Sequence, residues 1–100
     1  MLGRNMMRRG RVHANRPAGG APGGAVTATG TVFPAGVAVE VGFGGDRHNR
    51  PLSGWQSAQS DRHGNWSLAT TLPAAGTWWL WVRRKDYPQV AEPVGPVVVA

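Results

Sequence analysis

The sequence predicts an all-β chain: a small antiparallel β-sandwich of six to seven strands, preceded by an extended basic N-terminal arm. Three observations lead to that fold class. Short runs alternate apolar and polar residues with a period of two, as half-buried strands do. Clusters of Gly, Pro, Asp and Asn separate these runs at intervals of roughly 8–12 residues. No stretch carries a helical period. One hundred residues allow one domain, and residues 25–100 suffice for a single modest core.

The first strand is expected over 25–33, with Val26, Ala28, Gly30 and Val32 on one side and Thr27, Thr29 and Thr31 on the other. Pro34-Ala35-Gly36 turns the chain. Over 37–43, Val37, Val39, Val41 and Phe43 point inward, with Ala38, Glu40 and Gly42 outward. Residues 44–54 (GGDRHNRPLSG) form a polar loop, long enough to be more than a connector. A short strand over 55–60 leads into Asp61-Arg62-His63-Gly64-Asn65, whose Asp can cap nearby N–H groups and whose Gly and Asn tolerate positive φ. Trp66, Leu68 and Leu72 then alternate with Ser67, Ala69 and Thr71, and Pro73 to Gly76 ends that strand. Over 77–83, Trp78, Leu80 and Val82 share one face, while Trp79, Trp81 and Arg83 share the other. Residues 84–88 read as a charged turn, and Val97 to Val99 as a final edge-like strand bracketed by Pro93 and Pro96. The expected core holds Val37, Val39, Val41, Trp66, Leu68, Trp78, Leu80 and Val82.

Charge is unevenly distributed. Residues 1–39 hold five arginines (Arg4, Arg8, Arg9, Arg11, Arg16) and no acid, whereas 40–100 hold six basic residues against five acids. Residues 1–24 also carry six glycines and two prolines but few large apolar side chains, so they are expected to form a flexible arm before a domain over 25–100. No apolar h-region follows the positive residues, which argues against a secretory signal. No apolar run approaches the ~20 residues that span a bilayer.

Three motifs occur in order: GTVFPAGVAVEV (30–41), DRHGNW (61–66) and LPAAGTWWLWV (72–82). Together they resemble the bacterial and phage immunoglobulin-like domains, which combine a G-T-V-x-P-A-G run, a D-x-x-G-N-W turn and L-P-A-G-T-Y with alternating valines. The resemblance covers residues 25–100 and implies an immunoglobulin-like sandwich of the kind found in phage virion proteins. The sequence departs from that pattern in its longer, more charged 44–54 loop. It also carries Trp79 and Trp81 where such domains usually have small polar residues such as Thr.

Little in the chain points to catalysis. The five acids are scattered and mostly neighbour arginines, so no carboxylate pair or nucleophile–base pair stands out. His13, His48 and His63 lack metal-ligand spacing, and the chain has no cysteine. Neither an enzyme nor a cofactor is expected. Two features point to binding. The arginine arm can pair carboxylates, or phosphates, bidentately. Trp79 and Trp81, continued by Arg83, would form an exposed apolar contact row, with cross-strand packing beneath a neighbouring loop or beneath the arm as the alternative.

The expected function, resting on the resemblance, is a phage virion structural protein made in the host cytoplasm. It would decorate the capsid, bound through its arm to the major capsid protein or another virion protein; a tail or baseplate component comes next. Self-association is a further option. The alternative from another class is a carbohydrate-binding or adhesion module stacking Trp79 and Trp81 on a glycan. Nucleic acid is disfavoured, because the arm lacks aromatic residues and the remainder has no basic stripe. No membrane partner is expected.

Overall fold

The alternating runs pair into two antiparallel sheets in a computed structural model that describes residues 11–100. Seven strands follow one another: β1 (Val12–Ala14), β2 (Ala25–Val32), β3 (Ala38–Gly44), β4 (Gln56–Gln59), β5 (Asn65–Thr71), β6 (Gly76–Arg84) and β7 (Tyr87–Val99). One sheet has the order β1-β2-β5 and the other β4-β3-β6-β7. No helix occurs among the described residues.

The inward-facing residues of both sheets meet in one core. Val12, Ala14, Ala28, Val32 and Trp66 from the three-stranded sheet pack with Val39, Val41, Ala58, Leu80 and Val82 from the other. Val37 and Leu68 lie partly buried against them. A second cluster of Leu72, Val97 and Val99 lies against Val26, Phe43 and Trp78. All eight residues expected in the core therefore face it, with Trp78 only half-buried.

Two of the sequence motifs meet across β2 and β5. Gly30 pairs with Trp66, and a Cβ on Gly30 would come within 2.5 Å of the indole and collide with the His13 carbonyl. The Trp66 indole N–H donates to the Thr31 carbonyl at 3.2 Å. The Asp61 turn fixes the start of β5. Its carboxylate accepts the His63 N–H at 2.8 Å and the Asn65 N–H at 2.9 Å. Gly64 adopts φ 82°, and its carbonyl accepts the Val32 N–H at 2.8 Å. A side chain at Gly64 would be strained by that φ and would meet the Val32 carbonyl at 2.6 Å.

Residues 11–24 overturn the expectation of a free arm reaching Gly24. β1 pairs with β2 through Val12↔Val32, His13↔Thr31 and Ala14↔Gly30, and Val12 and Ala14 are buried. The segment then crosses to the other sheet, where Gly20 bridges Val99 in parallel. It returns through Gly23 and Gly24, which bond the Leu72 carbonyl and N–H at 3.0 and 2.8 Å. A Cβ on Gly19 would collide with the Val98 carbonyl. Its glycines thus serve close backbone approach, which composition alone reads as disorder. The final strand is also longer than expected. As an edge strand, β7 tolerates Pro88, Pro93 and Pro96, and a register shift between Trp78↔Val97 and Leu80↔Val94 absorbs Gly95-Pro96.

Deleting residues 1–24 should therefore destabilise the sandwich, by at least about 2–3 kcal/mol from exposing the Val12 site alone, as read by urea denaturation. An unchanged unfolding midpoint would show that β1 contributes nothing to the core.

Candidate partner-binding surface

The outward row of β6 was the leading candidate from sequence, and its geometry follows from glycines opposite it. Gly42 pairs with Trp81 and Gly44 with Trp79. A Cβ on Gly44 would lie 3.1 Å from the Trp81 ring and 3.2 Å from Pro51. The missing side chain at Gly44 leaves a trough on the sheet in which the Trp81 indole lies, while Pro51 and Trp55 take the space beside Gly42. Loop 45–55 closes over it. The Trp81 indole N–H donates to the Asp46 carbonyl at 3.0 Å. The Asp46 carboxylate accepts the His48 N–H at 2.7 Å and the Asn49 amide at 2.8 Å. Arg50 donates to the Pro88 and Gln89 carbonyls at 2.6 and 3.0 Å, and the Trp55 indole N–H to the Pro51 carbonyl at 3.0 Å.

Trp79, Trp81 and Arg83 thus lie on the opposite face from Leu80 and Val82, as alternation requires, but they do not form an exposed row. Trp81 is 5% exposed. Trp79 is half-buried over Gly95, where a Cβ would come within 2.8 Å of its ring. Arg83 pairs with Glu40 at 2.9 Å and stacks its guanidinium 3.8 Å from the Trp55 ring centroid. The contact row expected from sequence is the seat of a loop.

The arginines of the expected arm fall in different places. Arg4, Arg8 and Arg9 lie outside the described residues. Arg11 is exposed beside Val12, His13, Thr31, Val32 and Phe33. Arg16 is exposed beside Pro17, Ala18, Gly19, Pro96 and Val98. The tryptophan row borders neither site.

More free surface lies around Phe33 and Tyr87. Phe33 is 52% and Tyr87 37% exposed, and with Pro34 they flank a cleft of about 350 Å³. Its floor is Arg84, largely buried, whose Nε and Nη2 donate to the two Asp86 carboxylate oxygens at 2.8 and 2.6 Å. The Phe33 N–H donates to the Arg11 carbonyl at 3.1 Å, so Arg11 lies beside this cleft. The signal for Phe33 was in the sequence, since continuing the alternation of Thr27, Thr29 and Thr31 puts it outward. Tyr87 carries no such signal, because it lies in the charged 84–88 stretch, where no residues alternate. Leu52, on the covering loop, is 99% exposed.

Three carboxyls are held below their ordinary value of 3.8. The His48 N–H is the main cause for Asp46, the Asn65 N–H for Asp61 and the Arg84 guanidinium for Asp86. A lowered folded-state pKa stabilises the fold above the ordinary carboxylate range, and that contribution is lost as pH falls through the lowered values. The thermal midpoint should be flat from neutral pH to about 5 and fall below about 4. Asp61→Asn plus Asp86→Asn should blunt that fall; an unaltered acid limb would assign it to other groups.

Trp81→Ala should cost about 3–5 kcal/mol, as for a buried aromatic. Leu52→Ser should leave the unfolding midpoint unchanged. A Trp81→Ala protein as stable as the parent would mean that loop 45–55 does not cover the ring. Comparison of the chain with protein-family models, curated proteins and solved structures gave no match.

Proposed function

We propose that the chain is a non-enzymatic structural protein of a phage particle. Its immunoglobulin-like sandwich decorates the capsid and is held there by its arginine-rich N-terminal end, with the major capsid protein or another virion protein as partner. The carrying observation is that residues 1–39 hold five arginines and no acid, and that Arg11 lies exposed beside Phe33, which with Tyr87 flanks an open cleft. An acidic, partly apolar protein surface suits that combination. Guanidinium groups pair carboxylates, and the two aromatic rings supply apolar anchors.

Strand connectivity supports the immunoglobulin-like reading. β1, β2 and β5 take the places of strands A, B and E, and β3, β6 and β7 those of C, F and G. The fourth strand pairs with β3 instead of β5. The glycan reading loses its support, because it needed Trp79 and Trp81 as an open stacking platform and Trp81 is covered.

The direct test is co-sedimentation of the full chain with phage particles assembled from the same genome. Phe33→Ser plus Tyr87→Ser should lower retention about tenfold or more at an unchanged melting temperature. Arg4→Glu, Arg8→Glu and Arg9→Glu together should do the same, and added salt should weaken binding of the parent. Purified particles that lack the chain by mass spectrometry would refute the virion assignment. Undiminished retention of both variants would refute this contact end.

A further inference from the structure

The two sheets have four outer edges, and they are not equally protected. β1 has three residues and β4 four. β7 carries Pro88, Pro93 and Pro96 and is bridged by Gly20. β5 differs from all of these. Its seven residues, NWSLATT, contain no proline and no charge, it shows no register shift against β2, and β2 is its single ladder neighbour. Edges left without proline, charge or bulge are templates for pairing with another strand.

The orientation of the β5 backbone follows from its flanks. The Gly64 carbonyl accepts from Val32, and Leu72 bonds Gly24 and Gly23 through its N–H and carbonyl. Residues 64 and 72 thus address β2, and in an antiparallel ladder so do 66, 68 and 70. The N–H and carbonyl groups of Ser67, Ala69 and Thr71 therefore point away from the sheet, and their side chains are exposed.

We infer that the free edge of β5 pairs antiparallel with β5 of a second copy of this chain across a two-fold axis at Ala69, joining the three-stranded sheets into one of six. Charge argues for a second copy as the occupant. The chain carries a net charge of +6, so two copies approach most readily through an uncharged edge. In this register Ser67 meets Thr71 of the second copy, a favourable hydroxyl pair. Arg62 falls opposite Gly76, beside the uncharged 72–77 stretch, so like charges do not meet. About six backbone hydrogen bonds would form, two at each facing pair of outward-directed residues. This inference goes beyond the virion reading and does not depend on it.

Sedimentation velocity of the full chain across a concentration series tests it. A monomer–dimer equilibrium should appear within roughly 10–100 µM, as suits a small, weak interface. Ala69→Pro removes only an outward N–H, so it should keep the melting temperature within a few degrees and abolish the dimer. Ala69→Lys should abolish it as well, by placing two ammonium groups face to face. An equimolar mixture of Ala69→Lys and Ala69→Glu chains should dimerise again. Should Ala69→Pro fail to fold, the Lys and Glu variants decide alone. A parent that stays monomeric throughout, a dimer that survives Ala69→Lys, or a Lys/Glu mixture that stays monomeric would overturn the inference.

Discussion

The seating of Trp81 in a glycine trough is the constraint on which the outer surface of the larger sheet depends. An indole on a pleated face needs space that a neighbouring Cβ would occupy, and Gly44 vacates it. The ring in turn gives loop 45–55 an apolar floor and, through its N–H, an anchor at Asp46. The same device recurs twice, with Trp79 over Gly95 and Trp66 over Gly30. In each case a large side chain and a missing one are supplied by neighbouring strands, so neither can change alone. A long polar loop thereby becomes part of the packed structure, and Trp81 is withdrawn from the surface.

The β-strands were legible because their faces differ. Val37, Val39 and Val41 alternate cleanly with polar or small residues, and Trp78, Leu80 and Val82 were separated correctly from Trp79, Trp81 and Arg83. The Asp61 turn was legible because its chemistry is local, with the carboxylate, Gly64 and Asn65 within five residues. What covers an outward face is not local. Asp46 lies 35 residues from Trp81, and no period in either segment announces their contact. β1 was missed for a related reason. Val12-His13-Ala14 is too short to show a period, and its burial exists only once β2 is beside it.

These packing facts redistribute the surfaces on which binding can be argued. The tryptophan face is closed by its own loop. The segment 11–24 ties β1 and β7 together at one side of the sandwich. Phe33, Tyr87 and Arg11 remain exposed, and the uncharged edge of β5 has no ladder partner beyond β2. The first combines apolar anchors with charge and suits a different, acidic protein. The second offers backbone groups without charge and suits a like copy. Both can be used at once, because the two surfaces share no residue.

The covered Trp81 indole is the most direct point of test, and hydrogen exchange of the five tryptophan indole N–H groups by NMR reads it without altering the chain. With its donor held by the Asp46 carbonyl beneath loop 45–55, the Trp81 indole N–H should exchange orders of magnitude more slowly than a free indole, on the scale of the core amides. Exchange at the rate of a free indole would contradict this account, because the loop would then be open and Trp79 and Trp81 would again form an exposed contact row.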